Sequence, residues 1–451
     1  MSYLFKNATL ITLDPPVVER SNLRVEGGRI TERGAQLEPQ VGEEVIDLSG
    51  KIVMPGMVCA HTHLYSALAR GMPAPPRTPT NFKEVLELIW WRLDRALDEE
   101  TIYWSAIAGA MDAVRAGTTC LFDHHASPSH ITGSLKIVRE AMEKVGLRGV
   151  LCYEVTNRGG RRKRDEGLEE NRAFLEWASE VPAPVPADKA QQSAAVGTGA
   201  TMFRGLVGAH ASFTLTDGSL EVCAELMREF DVGLHIHAAE DLCDVEDAQA
   251  KYGLGVVERL AKRGALNGRT ILAHGTHLDD REIEIARGAG AWFVHNPRSN
   301  MNNQVGHAPL AKFGQQVALG TDGIGADMFE EAHFAFFKGR HGRIGWGADE
   351  WRRVLANNQQ LAGSMFGVEL GTLNAGAAAD LIVLDYYSPT PLLPENLAWH
   401  LIFGLNSAMV ESVMVNGRFI IKDRRAAFDA PHLYEQARQA SEKLWAKLRE
   451  I

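Results

Sequence analysis

Eight apolar, β-branched runs repeat along the middle of the chain, and each leads into polar residues and then a helix-like segment. The runs read MVCAHTH, TTCLFDHH, RGVLCYEV, GLVGAHAS, VGLHIHAAE, TILAHG, AWFVHNP and QVALGTDG. Continuous apolar runs are typical of strands buried on both faces, as in a parallel sheet. The segments between them, such as GSLKIVREAMEKVG, have apolar residues at helical spacing. The pattern therefore predicts eight β/α units.

The spacing of these units favours a closed barrel. His61 in the first run and Asp322 in the last are 261 residues apart. That is about 37 residues per step, close to the usual repeat of roughly 30 in such barrels. Most of the surplus lies in residues 71–100 and 158–201, and the second stretch predicts an extended or mobile loop. No G-x-G-x-x-G or Walker A element opens a helix, which argues against a nucleotide-binding open sheet.

The two ends of the chain differ from this pattern, because their polar and apolar residues alternate and turns are frequent. YLFKNATLITLD near the start, and ADLIVLDY and ESVMVNGRFIIKD near the end, predict short antiparallel strands. We therefore expect an α/β fold, a (β/α)8 TIM barrel with a small β-sandwich domain formed by both termini. The predicted boundaries are 1–57 and 371–451 for the two parts of the sandwich, with a terminal helix in the second, and 58–370 for the barrel.

Composition and charge limit the partners of this chain. The net charge of −10 over 451 residues argues against nucleic acid, since phosphate binding needs a basic face. Five scattered cysteines without a CxxC pair disfavour a disulfide framework and fit a reducing cytoplasm. The sequence has no signal-peptide pattern and no apolar run of membrane-spanning length. We expect a cytoplasmic protein that acts on a small molecule and forms a homo-oligomer, a dimer or higher.

The polar residues at the ends of the runs are rich in histidine, since eight of the chain's 16 histidines lie there. Active sites of such barrels lie at the C-terminal ends of the strands. In His61-Thr62-His63 the two imidazoles occupy positions i and i+2, so they point to the same face of a strand and can bind one metal ion. The alternative is an incidental pair on a loop, but the position after the first run favours the metal site.

Further run ends supply the other groups that a mononuclear hydrolytic site needs. His237 can be a third ligand, Glu240 can donate a proton, and Asp322 can both bind the metal and accept a proton from water. His274 can hydrogen-bond a hydroxide or a developing oxyanion, or it can be a further metal ligand. Three imidazoles and one carboxylate suit Zn²⁺ or Fe²⁺ equally. Such an ion lowers the pKa of bound water to about 7.

In this order the motifs resemble the signatures of the amidohydrolase superfamily, in its deaminase and chlorohydrolase branch. PGMVCAHTH, HAAE, AHG, HNPRSN and LGTDG carry the resemblance, and DHHASPSHITGSL and HNPRSNMNNQVG are similar to segments of the SsnA-type aminohydrolases. The resemblance covers nearly the whole chain. It implies one divalent metal ion that activates water as hydroxide, bound by His61, His63, His237 and Asp322.

The resemblance also implies the catalytic roles. Asp322 takes the proton from water, Glu240 protonates the substrate nitrogen or the leaving nitrogen, and His274 stabilises the hydroxide and the tetrahedral intermediate. Some members of the superfamily bind two metals through a carbamylated lysine on the fourth strand. The fourth run here, GLVGAHAS, has no lysine, so one metal is expected.

Three residues are candidates for substrate contact: His125, His210 and Arg298. A guanidinium favours planar acceptors, so Arg298 can pair with a carboxylate or carbonyl of the substrate, with an ordinary salt bridge as the alternative. The leading hypothesis is a metal-dependent hydrolase of carbon–nitrogen bonds that deaminates a small heterocycle. A cyclic amidase of the hydantoinase or dihydropyrimidinase type would use the same site. A catalytically inactive barrel that serves as a scaffold is the alternative of another class, and the full set of site residues argues against it.

Overall fold

A computed structural model describes residues 2–180 and 202–451. The strands of the described ranges, numbered in chain order, are β1 (Ser2–Thr12), β2 (Val17–Glu26), β3 (Arg29–Gly34), β4 (Glu44–Asp47), β5 (Ile52–Pro55), β6 (Met57–Thr62), β7 (Thr118–His125), β8 (Arg148–Tyr153), β9 (Phe203–Gly205), β10 (Val207–Ala211), β11 (Leu234–Ala238), β12 (Ile271–His274), β13 (Trp292–His295), β14 (Val317–Leu319), β15 (Leu381–Leu384), β16 (Val410–Val415), β17 (Arg418–Lys422) and β18 (Arg425–Ala426).

Parallel strands from the eight predicted runs form a TIM barrel, as the sequence predicted. They pair in the orders β6-β7-β8-β9 and β10-β11-β12-β13-β14. β9 and β10 flank Leu206, and the fourth run contains β10 together with the last residue of β9. Parallel bridges from Val155 to Ala209 and from Thr62 to Asp322 join the two groups of strands on both sides. The carboxyl ends of all these strands therefore meet on one face, where active sites of such barrels lie.

Helices cover the barrel between its strands. The α-helices of the described ranges are α1 (Phe82–Val85), α2 (Trp91–Ala96), α3 (Glu99–Arg115), α4 (Ser134–Val145), α5 (Gly160–Glu180), α6 (Asp217–Phe230), α7 (Leu242–Tyr252), α8 (Val256–Lys262), α9 (Asp280–Gly288), α10 (Pro297–Asn302), α11 (Leu310–Phe313), α12 (Met328–His341), α13 (Ala348–Phe366), α14 (Leu397–Phe403) and α15 (Ala430–Glu450). Within the described ranges, no helix combines the length and the apolarity needed to cross a membrane.

One stretch predicted as an extended or mobile loop, residues 158–201, is helical over most of its described part. Gly160–Glu180 forms α5, which packs Phe174 and Leu175 among the buried apolar side chains. The sequence GRRKRDEGLEENRAFLEWASE is strongly polar, but its apolar residues recur at helical spacing, and burial of that face stabilises the helix. The remainder of the predicted loop, residues 181–201, lies outside the described residues.

Strands from both ends of the chain pair in one nine-stranded sheet, in the order β18-β17-β16-β15-β5-β1-β2-β3, with β4 beside β1. The β16–β17 hairpin turns at Asn416 and Gly417, whose φ angles of 49° and 72° suit a two-residue type I′ turn. A buried ion pair links this sheet to the barrel. Arg148 Nε, at the start of β8, is 2.6 Å from Oδ2 of Asp380, which directly precedes β15. The domain boundaries at residues 57 and 371 stay predictions.

Candidate active site

Five of the predicted site residues lie at the C-terminal ends of four barrel strands. His61 is in β6 and His63 follows that strand, His237 is in β11, His274 ends β12, and Asp322 lies three residues after β14. His274 and Asp322 have φ angles of 71° and 54°, a left-handed conformation that is costly for residues with a Cβ. Backbone strain of this kind clusters at active sites, where the surrounding structure maintains it.

The hydrogen bonds of His63 and His237 leave a lone pair on Nε2 of each neutral ring. Nδ1 of His63 donates to the carbonyl of His124 at 2.5 Å, and Nδ1 of His237 donates to the carbonyl of His210 at 2.7 Å. A carbonyl can only accept, so Nδ1 carries the ring proton. The two Nε2 atoms are 3.1 Å apart. Two lone pairs at this distance repel each other unless a proton or a cation lies beside both.

Asp322 and His61 approach the same point. Asp322 Oδ1 is 2.9 Å from His63 Nε2 and 3.5 Å from His61 Nε2. In the described part of the chain, the buried Nε2 atoms of His61 and His274 have no hydrogen-bond partner. One possible ligand atom from each of His61, His237, His274 and Asp322 lies within 4.8 Å of all the others. Imidazole nitrogens oriented by bonds at Nδ1, together with one carboxylate, are the donor set that suits a divalent metal ion.

The electrostatics of this cluster favour one positive charge. Burial lowers the pKa of His61 to about 3. Burial acts in the same direction on His63, but its contact with Asp322 outweighs this and raises the pKa of His63 to about 9. Although burial acts to raise it, the pKa of Asp322 lies well below its ordinary value because of its contacts with His61 and His63. The cluster therefore stabilises a cation beside Asp322.

Glu240 lies beside this cluster, in the loop that follows β11, and it is buried. Asn303 Nδ2 donates to its Oε1 at 3.1 Å, and its Oε2 is 3.5 Å from His274 Nε2. Burial raises the pKa of Glu240 to about 7. A carboxyl group with such a pKa can both take up and release a proton near neutral pH.

The short helix α10 and the residue after it form hydrogen bonds with three groups that can donate or accept protons. These groups are His274, Asp322 and Glu240. Asn300 Oδ1 accepts from His274 Nδ1 at 2.7 Å, and Ser299 Oγ donates to Asp322 Oδ2. The bond from Asn303 to a third group, Glu240, starts just past the helix. Ser299, Asn300 and Asn303 are not among the site residues predicted from the sequence. The polar segment SNMNN, residues 299–303, follows the seventh predicted strand and could have indicated these side chains.

A cavity adjoins the cluster and encloses about 770 Å³ of empty volume, including space open to solvent. Its polar lining residues include His63, His237, Glu240, Asp322 and Glu154, and its aromatic lining residues include Phe82, Trp90, Trp91 and Phe213. The cavity is therefore lined both by planar apolar side chains and by groups that can carry out hydrolysis.

The three predicted substrate contacts have different surroundings. His210 lines the cavity, and its Nδ1 is 3.0 Å from Thr214 Oγ1. His125 is buried with its Nε2 2.9 Å from Ser127 Oγ, and it is not among the described residues that line the cavity. Arg298 is also outside that lining, and its contact with substrate stays a prediction beside the salt-bridge alternative. Its Nε pairs with Glu331, because α12 brings that carboxylate beside α10.

His125, in the DHH triplet of β7, was a predicted substrate contact. Its neighbour His124 lies closer to the metal-ligand candidates. One ring nitrogen each of His61, His63, His124 and His237 falls within 4.8 Å of the others. His124 Nδ1 is 3.1 Å from Oε1 of Glu154, a buried residue just after β8 that also lines the cavity. Three consecutive polar residues leave the phase of a strand undetermined, so the triplet could not show which side chain faces the cluster.

Comparisons with known proteins give the relatives of this chain. A model of the amidohydrolase family matches residues 52–420. The chain is 30% identical to a 5′-deoxyadenosine deaminase of Methanosarcina mazei, over 99% of both chains. It is 28% identical to a 5-methylthioadenosine/S-adenosylhomocysteine deaminase of Thermococcus sibiricus, over 93% of this chain and 94% of that protein.

Solved structures with the same fold include two that were determined with zinc. An adenosine deaminase from Xanthomonas campestris superposes with a TM-score of 0.80 at 21% identity, covering 98% of each chain. The atrazine chlorohydrolase of Arthrobacter aurescens superposes with a TM-score of 0.80 at 22% identity, covering 97% of this chain and all of the other. At these identities the structures establish the shared fold.

Proposed function

This chain belongs to the amidohydrolase family, and from that premise we propose that it hydrolyses the exocyclic amino group of an adenine-type nucleoside and releases ammonia. The observation that carries the proposal is the convergence of His63 Nε2, His237 Nε2 and an oxygen of Asp322 beside a buried carboxylic acid, Glu240. Metal ligation and proton transfer are the two requirements of a hydrolytic deaminase, and these groups supply both.

We assign one divalent ion to His61, His63, His237 and Asp322. Two observations support this set of ligands. Nε2 of His61 has no hydrogen-bond partner among the described residues, and backbone carbonyls orient the rings of His63 and His237. The zinc present in similar solved structures supports zinc, with iron as the alternative that the same donors accept. When bound, the ion supplies Lewis-acid activation of water at neutral pH. β9 and β10 contain no lysine, so a single ion is favoured over a carbamate-bridged pair.

The protein's own groups move the protons. Asp322 accepts a proton from the attacking water, and the hydrogen bond from Ser299 orients its other oxygen. Glu240 delivers a proton to the substrate nitrogen, and its buried position keeps that proton from exchanging freely with bulk water. His274 donates from Nδ1 to Asn300, and with a second proton on Nε2 it stabilises the oxygen on which negative charge develops. Water adds to the ring carbon, the carbon–nitrogen bond breaks, and the products are ammonia and a ring carbonyl.

The substrate class rests on the cavity and on the relatives. Deaminases of 5′-deoxyadenosine and of 5-methylthioadenosine or S-adenosylhomocysteine match almost the full length of the chain. Trp91 and Phe213 give the cavity flat aromatic surfaces on which a purine can pack.

The experiment is a substrate panel assayed for both ammonia and new carboxylate. It contains 5′-deoxyadenosine, 5′-methylthioadenosine, S-adenosylhomocysteine, adenosine and guanine, with dihydrouracil and hydantoin as cyclic amides. We expect ammonia and an oxo product from at least one adenine nucleoside, and loss of activity in Asp322→Asn. Ring opening of a cyclic amide without ammonia would overturn the proposal in favour of a cyclic amidase. Inactivity of a metal-loaded protein on the whole panel would also contradict it.

A further inference from the structure

Asn303 connects the two carboxylates of the site. Its Nδ2 donates to Glu240 Oε1 at 3.1 Å and lies 3.3 Å from Ser299 Oγ, and the Ser299 hydroxyl in turn donates to Asp322. Asn303 is buried and lines the cavity. The side chain is therefore placed between the group that accepts the proton of water and the group that delivers a proton to the substrate.

The orientation of the Asn303 amide is fixed from its other side. Asn302 Nδ2 donates to Asn303 Oδ1 at 3.1 Å, so the oxygen of the Asn303 amide is engaged and its nitrogen faces Glu240. An amide nitrogen donates hydrogen bonds and does not accept them. Glu240 Oε1 is consequently always an acceptor in this arrangement, and a proton on Glu240 must reside on the other oxygen, Oε2.

We propose that Asn303 is a positioning residue that confines the transferable proton of Glu240 to Oε2, the oxygen that faces His274. This inference rests on the proposed role of Glu240 in deamination. Oε2 is 3.5 Å from His274 Nε2, so the acid that delivers the proton and the imidazole that contacts the reacting oxygen lie next to each other. Without the bond from Asn303, the carboxyl group can rotate and carry its proton on either oxygen.

The test compares Asn303→Leu and the smaller Asn303→Ala with a control two residues earlier, Met301→Ala on α10, whose side chain is partly exposed. Crystal structures of the metal-loaded variants give the position of the Glu240 carboxylate without any need for activity. Steady-state kinetics with the best nucleoside of the panel then give kcat and KM for each variant. A double-mutant cycle with Glu240→Gln separates an effect through Glu240 from a general structural effect.

We expect the Glu240 carboxylate to turn away from its wild-type position in both Asn303 variants and to stay in place in Met301→Ala. Glu240 is protonated when it delivers the proton, so the lost bond joins two neutral groups and corresponds to roughly a two- to tenfold fall in kcat. KM should stay within about twofold, as expected for an interaction that matters in the transition state. In the Glu240→Gln background, Asn303→Leu should cause no further loss.

The inference would be overturned if Glu240 did not move and kcat stayed at the wild-type value in the Asn303 variants. It would also be overturned if the losses of kcat in Asn303→Leu and Glu240→Gln multiplied in the double mutant. Failure of the proposed function gives a different result. If the wild type deaminates nothing while Glu240 still turns in Asn303→Leu, the positioning role stands and the deaminase proposal falls.

Discussion

Glu240→Gln separates proton transfer from metal binding. Glutamine has the shape of glutamate and can still accept the hydrogen bond of Asn303 through its oxygen. The nitrogen that replaces Oε2 can neither take up nor release a proton near neutral pH. Glu240 has a pKa of about 7 because burial raises it, which suits general acid–base catalysis. Its relative exposure is 8%, so solvent has little access to substitute for the lost acid.

Removal of a general acid costs about 10²- to 10⁴-fold in rate, which is roughly 3 to 5 kcal/mol in activation free energy. We expect the higher end of this range because the group is buried and solvent cannot replace it. Metal content should match the wild type, since Glu240 is outside the proposed ligand set. The assay is ammonia release under saturating nucleoside, with metal measured on the same sample. The exposed Glu246 on α7 gives the matched control, Glu246→Gln, with wild-type kcat. A kcat for Glu240→Gln within about tenfold of the wild type would refute the reasoning, and so would loss of the metal.

Three further predictions test other parts of the account. His274→Asn should lower kcat by about 10²- to 10³-fold, as removal of an oxyanion contact does. The variant should keep the metal, and loss of the metal on elemental analysis would instead identify His274 as a ligand. Asp380→Asn removes the negative charge that faces the buried Arg148, so the free energy of unfolding should fall by about 3–5 kcal/mol in urea titrations. An unchanged midpoint would contradict this. Arg298→Ala should leave KM for the nucleoside within about twofold of the wild-type value, because the Arg298 guanidinium pairs with Glu331. A large rise in KM would identify Arg298 as a substrate contact.

The barrel could be predicted from the sequence because its signal is local. Each strand is a short apolar run, and the eight runs recur at nearly regular spacing. The metal-ligand candidates were accessible for the same reason. His61 and His63 are two residues apart on a strand, so a common face follows from geometry alone. The other two candidates, His237 and Asp322, lie near them because the barrel brings all strand ends to one face.

The contacts that cross between helices and loops could not be predicted in this way. Arg298 pairs with Glu331, 33 positions further along the chain, because α12 packs beside α10. The bond from Asn303 to Glu240 spans 63 positions and depends on the loop after β11. No periodic pattern marks such pairs. Sequence reasoning therefore located the metal-ligand candidates but not the side chains that orient their neighbours.

The most direct test of the central claim is the metal content of the protein purified without added metal, measured beside His61→Ala and Asp322→Ala. The account predicts about one zinc or iron ion per chain in the wild type, as for a mononuclear site with three imidazoles and a carboxylate, and loss of that ion in both variants. A wild-type protein that binds no metal even after incubation with Zn²⁺ or Fe²⁺ would contradict the account, because the converging lone pairs of His63 and His237 would then serve no cation.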